Sequence, residues 1–286
     1  MGRCACGARG DCGVSAPLFR IQGLRLSLPD MTRKPLFGAA PRIEILKGLT
    51  FDIAAGSTIG IVGESGSGKS TLGRALVRLY EPSAGAVQFD GRDIAHLSEA
   101  ALRPLRRDLQ VIFQDPYSSL NPRRSIGAII GAPLRFHGVA GSAAEARARV
   151  AAALGAVGLP ESFASRYPHE LSGGQRQRVG IARAIALSPR FVLADEIVSG
   201  LDVSSQAQIL DLLGRLKDEL KLTLAFISHD LSVVRRLCER VIVMRGGEIV
   251  ENRDTAALFE APEHPYTRQL LAAIPLPEID AGWLAE

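Results

Sequence analysis

Gly63-Glu64-Ser65-Gly66-Ser67-Gly68-Lys69-Ser70-Thr71 is the stretch that decides how this chain is read. It fits G-x-x-x-x-G-K-[ST], a pattern in which a glycine-rich turn curls its backbone amides around a phosphate. The run before it, Thr58-Ile59-Gly60-Ile61-Val62, predicts a short buried strand, and Thr71 to Leu79 predicts an amphipathic helix. That order matters. A helix start behind the glycine turn adds unpaired amides and the positive end of its dipole, both of which favour an anion. In this setting Lys69 is placed to reach the β- and γ-phosphates of a nucleotide, and the Ser70 hydroxyl to sit on Mg²⁺.

The composition permits such an enzyme. A chain of 286 residues is long enough for one large domain or two small ones. With 47% hydrophobic and 22% charged residues it has the balance of a soluble globular protein. No apolar run approaches the roughly 18 to 20 residues that span a bilayer, so a membrane role would be that of a peripheral subunit. The formal net charge is +4, and no lysine-rich block marks a nucleic-acid arm. Cys4, Cys6 and Cys12 fall in a glycine-rich opening, residues 1–16, that has no apolar core of a signal peptide. Their spacing matches no zinc or iron–sulfur pattern, and a flexible tail is expected there. Nothing suggests a secreted disulfide scaffold, which points to the reducing cytoplasm.

Outward from the loop, Phe19 to Leu26 and Leu46 to Ile53 read as antiparallel strands joined by a loop from Pro29 to Pro41. Ala86–Phe89 and Leu109–Phe113 are further strand candidates, the second ending at Gln114. Ser142-Ala143-Ala144-Glu145 has the form of a capping box and opens a helix through Leu154. An arginine-bearing helix follows Leu171-Ser172-Gly173-Gly174-Gln175 and runs through Leu187. Strands at 191–194 and 223–227 flank a helix from Ser204 to Leu220, and Gly246-Gly247 turns a late hairpin. Strands alternating with helices argue for an α/β fold on a parallel sheet.

At Phe191-Val192-Leu193-Ala194-Asp195-Glu196 an apolar strand ends in two carboxylates. Behind a phosphate loop, the first suits Mg²⁺ and the second suits activation of the attacking water. Together with Leu171-Ser172-Gly173-Gly174-Gln175, these residues make the chain resemble the ATP-binding cassette ATPases, from about Leu18 to Ala261. The resemblance implies a phosphate-loop ATPase core over residues 17–260, with an antiparallel β subdomain and a helical subdomain inserted at about 115–170. Residues 261–286 would be a C-terminal extension. It also implies that ATP and Mg²⁺ are bound, with Ser70, Gln114 and Asp195 around the metal. Glu196, His229 and Gln114 would be the catalytic set. Residues 171–175 would complete the ATP site of a second subunit in a head-to-tail dimer, and Ser199-Gly200-Leu201-Asp202 would cross that dimer.

Two positions depart from the family pattern. Ile197 stands where proline usually follows the acidic pair, and Phe37 is the nearest candidate for the aromatic that stacks on adenine.

Three further stretches narrow the resemblance: Gln114-Asp115-Pro116-Tyr117-Ser118-Ser119-Leu120-Asn121-Pro122-Arg123, Arg166-Tyr167-Pro168-His169-Glu170 and His264-Pro265-Tyr266-Thr267-Arg268. They are similar to the ATPases of oligopeptide, dipeptide and nickel importers. That similarity implies two integral-membrane permease subunits, a second ATPase or another copy of this chain, and an extracytoplasmic solute-binding protein acting at a distance. The ATPase itself would sit on the cytoplasmic face of the inner membrane and bind no nucleic acid. Iron–sulfur-binding relatives carry cysteines in the C-terminal extension; none follows Cys238, so that cofactor is not expected. A soluble cassette ATPase acting on DNA or ribosomes is the alternative class, but the single set of motifs and the lack of a coiled-coil arm count against it.

Overall fold

Three five-residue runs, Thr58–Val62, Phe191–Asp195 and Thr223–Ile227, are buried along their whole length. Strands covered on both faces need continuous apolar sequence rather than alternation, and that is what these runs offer. The computed structural model describes residues 17–30, 32, 38–115 and 119–273. In chain order the strands are β1 (Phe19–Pro29), β2 (Arg42–Ile53), β3 (Thr58–Val62), β4 (Ala84–Phe89), β5 (Arg92–Asp93), β6 (Leu109–Ile112), β7 (Phe191–Asp195), β8 (Thr223–Ile227), β9 (Arg240–Arg245) and β10 (Glu248–Asp254).

They form two sheets. The larger has the order β10-β9-β3-β8-β7-β6, parallel from β9 to β6, with β10 added antiparallel at the edge. The smaller is antiparallel, β2-β1-β4-β5. Phe19 joins them: its ring lies 5.0 Å from Phe89 in its own sheet and 4.7 Å from Phe191 in the other.

Register places the functional loops. Ile61 pairs with Ile227, Ile227 with Asp195, and Ala194 with Ile112. Because these strands run parallel, their carboxyl ends lie on one edge, where ligands bind in open α/β sheets. Gly63, Gln114, Glu196 and His229 each follow one of these aligned ends by one or two residues. Four loops distant in sequence therefore converge.

The helices agree with their caps. Ser142 caps Ala143–Ala156 by accepting the Glu145 N–H at 3.1 Å. The expected capping box is only half made, because the Glu145 carboxylate accepts the Gly141 N–H at 2.8 Å instead of that of Ser142. The arginine-bearing helix after Leu171–Gln175 spans Gly173–Ile185 and ends two residues earlier than its sequence predicts. Beside these lies Ile126–Phe136, capped by Ser125. No local pattern predicts that helix, since Gly127, Gly131 and Pro133 all depress helical propensity. The strand at β6 stops one residue short of Phe113. The Pro29–Pro41 connection closes a hairpin, with the Asp30 N–H bonded to the Pro41 carbonyl at 2.7 Å. Among the described residues, no helix is long and apolar enough to cross a membrane.

Candidate active site

The phosphate loop opens at a position only glycine can fill. At Gly63, with φ 147°, an added Cβ would stand 2.2 Å from the Met244 carbonyl oxygen of β9. Gly68, with φ 100°, ends the loop in a left-handed conformation and hands over to the helix Lys69–Leu76. Between them Glu64, Ser65 and Gly66 are exposed, while Ser67 and Lys69 are buried. Ser70 and Thr71, in the first helical turn, are half-buried.

The Lys69 ammonium donates to the Gly63 and Glu64 carbonyls, 2.8 Å each, which folds it over the loop mouth. Burial lowers the Lys69 pKa, and the carboxylates of Glu196, Asp195 and Glu64 act against that shift. The Ser67 hydroxyl is buried with no hydrogen-bond partner among the described residues. A buried cation beside an orphaned hydroxyl and a glycine-lined turn fits a phosphate group.

The acidic pair divides its labour through backbone conformation. Asp195 is the last residue of β7, and its carboxylate accepts the Ser70 hydroxyl at 2.8 Å. Glu196 takes φ 50°, a left-handed turn that non-glycine residues adopt at a cost of order 1–3 kcal/mol. Its N–H bonds the Ile227 carbonyl at 3.0 Å, and Ile197 and Val198 bury their side chains behind it. Beyond that turn the two carboxylates have different partners, Asp195 facing Ser70 and Glu196 facing Gln114 and His229. The carboxylate accepts the Gln114 amide N–H at 3.0 Å, and His229 Nδ1 stands 4.0 Å from it. The usual proline is thus replaced here by an isoleucine that is 1% exposed and anchors the same turn by burial. Hydroxyl, carboxylate and side-chain amide are hard oxygen donors that suit Mg²⁺.

The signature stretch lies elsewhere. Leu171 is buried, and Ser172 caps the Gly173–Ile185 helix through a reciprocal pair with Gln175: the Gln175 N–H to the Ser172 hydroxyl at 3.3 Å, and the Ser172 N–H to the Gln175 side chain at 3.0 Å. Among the described residues, no hydrogen bond joins residues 171–175 to 63–71. Instead, Gly173 faces Leu201 and Gly174 faces Ser205, so residues 171–175 and the loop from Ser199 form one continuous surface. In that loop the Asp202 carboxylate accepts from the hydroxyls of Ser204 (2.6 Å) and Ser205 (2.7 Å) and from the Ser205 N–H (2.9 Å), bonds that hold its pKa far below the usual range. The Ser199 hydroxyl bonds the Glu196 carbonyl at 2.7 Å, and Gly200 turns with φ 76°.

Residues 46–199 match the family profile described as ABC transporter. The chain belongs to the ABC transporter family. A protein of Brucella ovis named as a peptide import ATP-binding protein is 53% identical over 94% of this chain and 82% of its own length. The glutathione import ATP-binding protein GsiA of Salmonella typhi is 51% identical over 91% of this chain, which spans only 41% of that protein. Among solved structures, the ATP-binding cassette MJ0796, dimeric and bound to ADP and Pi, superposes with a TM-score of 0.73 at 32% identity, covering 83% of this chain and 98% of that one. CbiO1 of Clostridium perfringens, part of the ABC transporter complex CbiONQ, gives 0.74 at 27% identity, over 86% and 92% of the two chains. This ABC ATPase therefore binds and hydrolyses nucleotide.

Two contacts at its site escape the motif reading. The Arg74 guanidinium stands 3.7 Å from Asp195. It lies one helical turn beyond Ser70, a spacing visible in the sequence. Tyr266, already within the stretch His264–Arg268, bonds the loop backbone itself, a contact that no local pattern announces. The adenine-stacking candidate, Phe37, lies outside the described residues, as do Cys4, Cys6 and Cys12.

Proposed function

We propose that this ABC ATPase powers import of peptides or related small solutes as a peripheral subunit on the cytoplasmic face of the inner membrane. Its partners would be two permease subunits, with a solute-binding protein supplying cargo from outside. The observation that carries the reading is the Gln114–Glu196 bond. Through it, the group that activates water is tied to the strand end bordering a cleft of about 590 Å³ between the ATPase core and the helical segment. Leu79, Phe113, Ile129, Pro133 and His137 line that cleft, and Leu79 and Phe113 are 47% and 37% exposed. A seat of this kind beside Gln114, apolar in part and with Arg106, Arg124 and Arg183 also in its lining, suits a short segment of a permease. The import roles named for the Brucella and Salmonella relatives support the same reading.

In the chemistry, Lys69 and the amides of the loop hold the β- and γ-phosphates of ATP. Mg²⁺, held by Ser70, Asp195 and Gln114, would neutralise charge between those phosphates. Glu196 takes the proton of the attacking water, Gln114 orients that water, and His229 contacts the γ-phosphate. Most of the rate enhancement comes from such positioning and charge stabilisation.

Leu171, Ser172, Gly173, Gly174 and Gln175 of a second subunit, a different ATPase or another copy, close over the nucleotide from the opposite side. Ser199 to Asp202 would cross the interface. Val203, 83% exposed next to Asp202, adds apolar surface there. Loss of the γ-phosphate removes the bridge and lets the subunits part.

Ser172→Arg should leave ATP affinity near the wild-type value and lower hydrolysis at least tenfold, because the bulk enters the neighbouring subunit's site. Unchanged turnover, read by phosphate release, would refute the head-to-tail dimer. For the transport reading, a Glu196→Gln protein held in ATP should co-purify from detergent-solubilised native membranes with two multi-span permeases. Ribosomes or DNA-repair proteins in their place would refute import while leaving the ATPase chemistry intact.

A further inference from the structure

Tyr266 is separated from the phosphate loop by 202 residues, yet its phenol oxygen accepts the Glu64 N–H at 2.9 Å. The ring is 2% exposed and lies 4.9 Å from the Arg245 guanidinium, at the end of β9. Burial gives a tyrosine oxygen a strong need for a partner, and here the partner is part of the nucleotide-binding backbone.

The tyrosine is itself held in place. It stands in the first turn of the helix Pro265–Ala272, where the His264 ring accepts the Tyr266 N–H at 3.1 Å. Glu251 of β10 accepts the N–H groups of Glu263 at 3.0 Å and His264 at 3.2 Å, just before that turn. Burial works against the Glu251 carboxylate. The Glu263 amide, the Thr267 hydroxyl, the His264 amide and Arg253 outweigh it and hold its pKa below the usual value. The helix start is thus fastened to the edge of the sheet.

What Tyr266 grips is one peptide plane. The Gly63 carbonyl and the Glu64 N–H belong to the same amide group. Lys69 Nζ holds the first at 2.8 Å and Tyr266 the second at 2.9 Å. The Lys69 ammonium has three donors, and bound phosphates would compete with that carbonyl for them. The plane next to Gly63, whose backbone is the least restricted of any residue type, would then be free to rotate unless its other end were held.

We propose that Tyr266 is a positioning residue for nucleotide binding, its hydroxyl keeping the Gly63–Glu64 peptide oriented when Lys69 is drawn to the phosphates. This rests on the assignment of residues 63–71 as the nucleotide site. The helix Pro265–Ala272 and the phosphate loop are then coupled, and by linkage the coupling runs both ways: nucleotide stabilises the helix as the helix stabilises the loop.

Tyr266→Phe keeps the ring and removes only the acceptor. Its dissociation constant for a non-hydrolysable ATP analogue, measured by calorimetry, should rise about five- to tenfold. Turnover at saturating ATP should change less than about twofold. Amide exchange over residues 63–67 should quicken, with β3 and β9 unchanged. A tyrosine that merely fills space would leave the affinity and the 63–67 exchange at wild-type values, and that result overturns the proposal. Should the variant fail to fold, the wild type decides: saturating nucleotide must slow exchange across 264–272, and no change there also overturns it. The nucleotide site is checked separately. A wild type that binds no ATP, or a Lys69→Ala protein that binds it normally, would remove the site assignment itself. Wild-type affinity in Tyr266→Phe, with Lys69→Ala defective, removes only the positioning role.

Discussion

Glu196→Gln is expected to lower ATP turnover by about 10²- to 10⁴-fold, the range general-base catalysis commonly supplies, while ATP affinity stays within about twofold. The geometry explains why the loss should be confined to chemistry. Gln114 donates to one Glu196 oxygen, and the glutamine that replaces Glu196 can still accept that bond through its carbonyl. The left-handed turn is held by the Ile227 carbonyl and the buried side chains of Ile197 and Val198, none of which the substitution touches. What disappears is the capacity to take a proton from water. ATP-bound dimers should then accumulate, visible by gel filtration beside a phosphate-release assay. Unchanged hydrolysis would remove Glu196 as the base.

Lys69→Ala should raise the ATP dissociation constant by up to about 10²-fold. A charge-assisted bond of up to about 3 kcal/mol is lost, and every 1.4 kcal/mol is a factor of ten. The fold should suffer much less. Removing the side chain breaks its two bonds to the Gly63 and Glu64 carbonyls, but it also removes an ammonium group that burial disfavours. These effects oppose one another. A melting temperature close to wild type, together with lost binding by calorimetry, is the expected pair of results. Normal affinity would sink the phosphate-loop assignment.

Ile197 and Glu196 show how a local rule can be met by other means. A proline after the acidic pair would restrict the turn through its fixed φ. Here the turn is set by an isoleucine side chain locked in the core, so burial supplies the rigidity. Arg74 makes a related point: its position on the helix can be read from the one-turn spacing after Ser70, but its approach to Asp195 depends on how the helix and β7 pack.

The motifs written in consecutive residues were legible in the sequence alone. The loop 63–71, the strand end at Asp195 with the adjoining Glu196, and residues 171–175 each lie within a short window, so neighbouring residues suffice to find them. The wholly buried strands were equally plain, because burial on both faces leaves an unbroken apolar run. Helix Ile126–Phe136 was hidden by its glycines and proline, whose low propensity is overridden by packing of Ile126, Ile129, Ile130 and Leu134 in the core. Only the tertiary structure decided which distant groups meet. A slip of one residue moves a strand by about 3.3 Å, enough to break Gln114 from Glu196 or Ser70 from Asp195. Register, which depends on the whole sheet, therefore assembled the site, and a buried tyrosine 202 residues along the chain came to rest on its backbone.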